Sequence, residues 1–434
     1  MRNSCYFDID DSSNFAKKLL LWSRKFNYKC MLESNISSIR VPVSYNQYDF
    51  IFAVDSIACC SVSENSFSEL QVFYDEHKDW MFGYLSYDLK NQIEDLTSSN
   101  INLFNNEELC FFIPKYLFLF KDNKLCVKTY QPKVNIHRLI KNISSIHVPY
   151  TQSINIKLKP RENKSVYLKK IENIKKHIQK GDIYELNYCQ EFFNEDVAII
   201  PEEVFFDLNE SSKAPFASFL QIQDFYVIGS SPERFLLKKG SRLLSQPIKG
   251  TSQRGKDRLE DESHINHLKT SHKDIAENIM ITDLVRNDLS KTAKKGTVSV
   301  EELCEVYSFE GVHQMITSIS SKCQSEFLVT EILESCFPMG SMTGAPKIEA
   351  MKLIDKYENV KRGVFSGAIG YISPTQDFDF NVVIRSLLYD STQKYLSLSV
   401  GGAITINSDP LDEYEECLTK AKNIFRLLNK EYAK

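Results

Sequence analysis

A proline–lysine–glycine turn constrains this chain more than any other stretch. From residue 225 the sequence runs Phe225-Tyr226-Val227-Ile228, then a turn carrying Gly229-Ser230-Ser231-Pro232-Glu233-Arg234. Phe235-Leu236-Leu237 and Arg242-Leu243-Leu244 follow, and the stretch closes on Ser245-Gln246-Pro247-Ile248-Lys249-Gly250-Thr251. Short apolar runs punctuated by Gly and Ser-Pro read as strands of a hairpin. Such a hairpin brings one carboxylate, Glu233, and one amine, Lys249, into a single supersecondary unit. Pro247 fixes φ just before the lysine, and Gly250 frees the backbone just after it. Two readings fit Lys249. It is an amine in a partly apolar pocket that loses its proton and acts as a nucleophile, or a surface lysine whose stem snorkels outwards.

The chain has 434 residues, 42% of them hydrophobic and 25% charged, enough for one large domain or two to three ordinary ones with a sizeable core. A net charge of -4 gives no electrostatic case for nucleic acid. The 11 cysteines are scattered, with Cys59 and Cys60 adjacent and no Cys-x-x-Cys pair, which points to reduced thiols and a cytoplasmic protein. The first residues lack a signal-peptide pattern, and no apolar run approaches the ~20 residues that span a bilayer, so no membrane is expected.

Residues 1–155 read as a β-rich subregion and residues 160–434 as a second unit, with a weakly apolar boundary over 148–159. Strands are expected at Asp49–Val54, Leu109–Pro114, Tyr116–Lys121 and Leu125–Lys128, the last pair joined by a turn at Asp122-Asn123-Lys124. An amphipathic helix is expected over Ser165–Lys180, stopped by Gly181, followed by an alternating strand Ile183–Cys189. One long helix is expected over Ser263–Ser290, with Glu277 on the face of Met280, Ile281 and Leu284. A carboxylate in an apolar stripe needs a partner, either a hydrated cation or a basic side chain. His264, His267 and His272 lack zinc-ligand spacing and read as solvated.

A meander of strands is expected over Val364–Ile372, Phe380–Tyr389 and Tyr395–Ile406. Arg385 alternates with Val382, Ile384 and Leu388, which puts it on the face of Val383 and Leu387, unusual company for a guanidinium that does not grip an anion. Gly401-Gly402 allows close backbone approach. Asp409-Pro410 opens a final helix with Glu413, Glu416 and Lys420 on one face. That face is a site for a divalent cation, for which oxygen-only ligands favour Mg²⁺, or an ordinary solvated acidic face.

The ordered set of segments resembles the chorismate-utilising enzymes of the anthranilate synthase component I family. It comprises Ser231-Pro232-Glu233-Arg234-Phe235, Pro247-Ile248-Lys249-Gly250-Thr251, Glu277 to Asp288, Phe337 to Lys347, Gly367 to Tyr371, Val383-Ile384-Arg385, Gly401-Gly402-Ala403 and Glu413 to Ala421. The segments run in the family's order from about Gly181 onwards. Met31-Leu32-Glu33-Ser34 resembles a regulatory tryptophan-binding motif in the family's N-terminal part; a strand end with an exposed glutamate is the other reading.

The resemblance implies an α+β fold of two large antiparallel sheets packed as a sandwich, with helices outside. The irregular alternation of strands and helices supports α+β independently. It implies chorismate as substrate and Mg²⁺ as cofactor, held by Glu277 and Glu416 with Glu413 assisting. Gly401, Gly402 and Lys420 would serve the ring carboxylate, Arg385 and Tyr371 the enolpyruvyl side, and His313 and Ser341 the ring pocket. Thr251 joins the substrate-binding set. Glu233 would protonate the departing C4 hydroxyl, and Lys249, kept uncharged, would add at C2 before ammonia adds at C4. A lysine at 249 points to the branch that makes 4-amino-4-deoxychorismate; anthranilate, isochorismate or salicylate formation are alternatives, as is a catalytically silent binding subunit. Glu185 and Gln246 depart from that branch, which usually carries glutamine and arginine there. The chain shows no Cys-His-Glu glutaminase segment, so a glutamine amidotransferase partner is implied.

Overall fold

The computed structural model describes residues 2–35, 47–148 and 155–429. The middle of the expected boundary, residues 149–154, lies outside the described residues. In chain order the first strands and helices are β1 (Asn3–Asp8), α1 (Ser12–Trp22), β2 (Tyr28–Glu33), β3 (Phe50–Val62), α2 (Ser66–His77), β4 (Met81–Leu85), α3 (Lys90–Ile93), β5 (Leu109–Lys121), β6 (Lys124–Thr129) and α4 (Lys133–Ser144). Then come β7 (Lys159–Pro160), α5 (Lys164–Lys180), β8 (Glu185–Asn194), α6 (Pro201–Ser212), β9 (Phe216–Ile222), β10 (Phe225–Ser231), β11 (Arg234–Lys239), β12 (Arg242–Gln246) and β13 (Ile248–Gln253). The last third contains α7 (Arg258–Thr270), α8 (His272–Ser290), β14 (Ser299–Ser308), β15 (Val312–Lys322), α9 (Val329–Cys336), β16 (Gly344–Ala345) and α10 (Lys347–Tyr357). It ends with β17 (Ala368–Ile372), β18 (Phe378–Val382), β19 (Ser386–Asp390), β20 (Tyr395–Ile404) and α11 (Pro410–Leu428).

All pairings between these strands are antiparallel, and they form one continuous hydrogen-bonded network. The network divides into two layers because β3 and β5 belong to both. The first half of β3 and the second half of β5 carry the order β1-β6-β5-β3-β2-β9-β10-β19-β20-β8. The other halves carry β3-β5-β4-β17-β18-β11-β12-β15, with β13 continuing along β15 beyond β12 and β14 on its far edge. The crossover has a local cause. Asp55 takes φ +64°, the register slips between Ser56 and Ala58, and Pro114, which has no N–H to give, lies opposite the slip. The two strands expected at 109–114 and 116–121 are therefore one long strand running through its proline.

The main core lies between the layers, where Phe82, Tyr84 and Phe112 meet Phe225, Leu388 and Tyr395. A second core covers the outside of the first layer with α1, α4, α5, α6, α10 and α11, through residues such as Leu19, Ile171, Val204 and Ile424. This is the sandwich with external helices that the α+β expectation described. Strands from the first 155 residues pair with later ones, β2 with β9 and β4 with β17.

Local signals set several ends. Asn163 caps α5 by accepting from the Val166 amide, and Gly181 ends it at φ +84°. Two expectations are corrected. The helix expected over 263–290 is two helices, because Ser271 leaves helical geometry and caps α8 by accepting from the Asp274 amide. The strand expected over 380–389 breaks after Val382, and Arg385 stands in the gap with φ +50° rather than on a strand face.

Candidate functional site

Lys249 is on β13, where the register with β15 slips between Ile248 and Thr251. The slip depends on Gly250, whose φ is +85°; a Cβ there would meet the Asp274 side chain of α8 at 3.0 Å. The slip turns Lys249 inward. Its Nζ donates to Glu185 Oε1, at the start of β8, at 2.9 Å, with the two side chains 9% and 1% exposed. The surface-lysine reading is thereby excluded. Burial works against the ammonium, but the carboxylates of Glu185, Glu277 and Glu233 outweigh it and raise the pKa above that of an ordinary lysine. In the resting fold the neighbouring acids favour the ammonium, the opposite charge state to the uncharged amine expected for attack.

Glu233 occupies the turn between β10 and β11, fixed by its carbonyl accepting from the Val382 amide. It is buried, and desolvation pushes its pKa up to about 7, opposed by Ser341, Lys249, the Ile248 amide and Arg385. The Ser341 hydroxyl faces this carboxyl without closing a full hydrogen bond. Burial drives the Arg385 pKa down, with Glu233 opposing. The left-handed backbone at Arg385 turns its guanidinium towards the acid.

Three acids face this group from two helices. Glu277 on α8 is buried, with Oε1 unpartnered, and its pKa is raised to about 7 by desolvation. Glu413 on α11 is buried; its Oε1 accepts from Ser408 Oγ at 2.6 Å and Lys273 Nζ at 2.9 Å, while Oε2 has no partner. Glu416, more exposed, pairs with Lys420 at 2.8 Å, and that ammonium lowers its pKa to about 2. Lys420 Nζ also donates to the Gly401 carbonyl at 2.8 Å. Gly402 makes room for the convergence, since a Cβ on it would lie 3.1 Å from Glu413 Oε2. Among the described residues, no three ligating side chains close on one point as a ready metal cluster. The donor set nevertheless fits a hard divalent cation: its ligands are oxygens only, and two buried carboxylate oxygens, Glu277 Oε1 and Glu413 Oε2, lack partners among the described residues.

Three expected site residues fall elsewhere. Thr251 is exposed and pairs with Gln314. His313 is fully buried one strand away, with Nδ1 on Ser308 Oγ at 2.8 Å and Nε2 on Asp261 Oδ1 at 2.9 Å. Tyr371 packs against Trp80 with the rings tilted by 36° and their centroids 5.4 Å apart, and it lines a second cavity with Leu32, Glu33, Ser34, Tyr48 and Asp379. Glu33 is half-buried, bonded by Asn209 Nδ2 at 2.8 Å, and burial lifts its pKa to about 7. The departure at 246 is satisfied within the fold: Gln246 accepts from Arg234 at 2.6 Å and donates to Ser318 at 3.0 Å. His264 bonds the Gln253 carbonyl, as a helix-face histidine. Sequence reasoning missed Lys273, Ser408 and Asp261. Lys273 meets Glu413 and Asp261 meets His313 across 140 and 52 residues, whereas Ser408 lies 5 residues before Glu413, next to the capping Asp409.

A buried lysine amid carboxylates, an acid poised near neutrality and two unpartnered carboxylate oxygens make a site for an acid–base and nucleophilic reaction on an anionic substrate. Residues 45–426 match the family model for chorismate binding enzymes, and the chain belongs to that family. It is 40% identical to an aminodeoxychorismate synthase of Streptomyces griseus over 271 residues, covering 62% of this chain and 37% of that protein. It is 36% identical over 264 residues to component 1 of the Escherichia coli aminodeoxychorismate synthase, covering 61% of this chain and 58% of the relative. The matched stretch thus spans less than two thirds of these relatives. Anthranilate synthase component I of Streptococcus pneumoniae shares the fold at a TM-score of 0.77 and 23% identity, over 87% of this chain and 92% of that one. The menaquinone-specific isochorismate synthase of Escherichia coli does so at 0.74 and 15% identity, over 99% and 95%.

Proposed function

We propose that this chain aminates chorismate at C4, forming 4-amino-4-deoxychorismate. The observation that carries the reading is the inward Lys249, buried and aimed at the acids of three elements. Its amine forms a bond to C2 while the C4 hydroxyl departs, protonated by Glu233, whose raised pKa suits an acid at neutral pH. Ammonia then bonds at C4 and expels the lysine. Arg385 holds the enolpyruvyl carboxylate and Ser341 borders the ring. Glu277, Glu413 and Glu416 would hold Mg²⁺, which when bound would screen the ring carboxylate; Gly401, Gly402 and Lys420 shape that end. The resemblance also assigns His313, Tyr371 and Thr251 to the substrate, but their positions do not support this.

Ammonia would come from a glutamine amidotransferase subunit, in keeping with the "component 1" in the Escherichia coli relative's name. A reducing, cytoplasmic setting is part of the reading, supported by eleven unbridged cysteines. The described residues include no helix long and apolar enough to cross a membrane. Purified protein with chorismate, Mg²⁺ and ammonium should yield 4-amino-4-deoxychorismate, which a downstream lyase converts to 4-aminobenzoate on a chromatogram. Anthranilate, isochorismate or salicylate would select a sister activity, and no turnover would leave a binding subunit. The second cavity supports an amino-acid regulatory site at Leu32, Glu33 and Ser34. Calorimetry with L-tryptophan tests it, and absence of heat would remove it.

A further inference from the structure

We propose that Glu185 is the proton acceptor for Lys249, taking the ammonium proton as the amine bonds to the ring and returning it as the amine leaves. The inference rests on the amination reading and deepens it. Glu185 is held rigidly. The Tyr184 amide donates to the Ala345 carbonyl at 2.7 Å, Glu185 pairs with Ala345 across the strands, and Gly344 packs too tightly on the Glu185 carbonyl to admit a Cβ. Its Oε1 accepts from Lys249, while Oε2 is buried with no partner among the described residues. A buried carboxylate with a free oxygen is costly as mere scaffolding. The same oxygens can take a proton without leaving the site.

A protonated lysine is no nucleophile, and Lys249 Nζ already points a proton at Glu185 Oε1 from 2.9 Å, so an acceptor is in place before the amine reacts. Glu185 is the carboxylate at hydrogen-bond distance from it. The other charged groups around the pair act from further off: Lys273, Asp274 and Glu277 from α8, Glu416 and Lys420 from α11, Glu233 from its turn, and Arg385 beside Glu233. The protons balance. Lys249 passes one to Glu185, and its neutral nitrogen bonds to C2. The C4–O bond breaks, with the Glu233 proton leaving in water. Ammonia bonds to C4 as the C2–N bond breaks, and the new C4 ammonium returns a proton to Glu233. Lys249 recovers its own from Glu185. The sum is chorismate plus ammonia giving 4-amino-4-deoxychorismate plus water.

The test uses the whole chain, with Mg²⁺ and constant free ammonia, across a range of pH. E185Q should lose about 100-fold or more in kcat at neutral pH with little change in KM for chorismate. Its rate should climb with pH as solvent takes over the lysine proton, a climb absent from the wild type. E185A should regain rate in proportion to added formate, and E185D should keep the wild-type profile at reduced rate even if E185Q folds poorly. Wild-type kcat and profile in E185Q, E185A indifferent to formate, or an E185D profile that climbs with pH would overturn the role. If the wild type makes another product or none, the amination reading falls and the inference with it. If the wild type makes 4-amino-4-deoxychorismate while the variants behave as it does, only Glu185 is rejected.

Discussion

Lys249 takes its character from the acids around it more than from apolar burial. Lys249→Ala should abolish 4-amino-4-deoxychorismate formation while still binding chorismate, measured by turnover and calorimetry on the same sample; an unchanged rate would end the nucleophile role. Glu233 makes a pH prediction with a definite sign. Its pKa is about 7 in the fold against the ordinary 4.5, so between these values the folded chain binds more protons than the unfolded one. Stability contributed by the neutral acid is therefore present at low pH and lost as pH rises through 7. Glu233→Gln should flatten that decline, on the order of 1–3 kcal/mol, in urea titrations without metal. At this scale the motif residues were legible: Glu233, Lys249, Glu277, Glu413, Glu416 and Lys420 all converge. Their cross-chain partners were not, because Glu185 and Lys273 meet Lys249 and Glu413 only through the fold, 64 and 140 residues away. Tyr371 came from the resemblance alone, and its place beside Trp80 and Asp379 could not be read locally because those contacts also form only through the fold.

Elements were legible where periodicity and caps agreed, as in α5 and α11, and illegible where one residue overrode a long pattern. Ser271 breaks an otherwise continuous helical run, and the turn at Arg385 interrupts an apolar run that reads as one strand. The reverse error, two strands for β5, came from taking Pro114 as a stop when the partner strand slips opposite it. Two glycines test how elements are held together. Gly250→Ala meets a positive φ and contacts at 3.0 Å, so it should cost about 1–2 kcal/mol or more in urea unfolding and move Lys249. Gly402→Ala keeps an ordinary backbone but places a methyl 3.1 Å from Glu413 Oε2. It should weaken Mg²⁺ binding measured by calorimetry while leaving the urea midpoint nearly unchanged.

Across the whole molecule, the sequence boundary near residue 155 marks a change in pattern, while strand pairing ignores it. β2 is zipped to β9, β4 to β17, and β3 with β5 stitches the layers together. Neither residues 1–155 nor residues 160–434 expressed alone should give the near-ultraviolet circular dichroism of a packed core, whereas the two co-expressed should restore it. The α+β class could be argued from element order, while the two-layered sandwich was implied by the family resemblance. The sharing of two strands between layers could not, since Pro114 marks an irregularity in the sequence without telling a strand end from a register slip that the strand runs through. One contact acquires meaning at this scale. Arg234, peptide-bonded to Glu233, clamps Asp379 through two bonds of 2.9 and 3.1 Å, and Asp379 lines the cavity beneath Tyr371. The acid turn and the cavity lining are thus tied by one bidentate ion pair, so the residue that follows the acid in sequence is anchored on a wall of the other cavity.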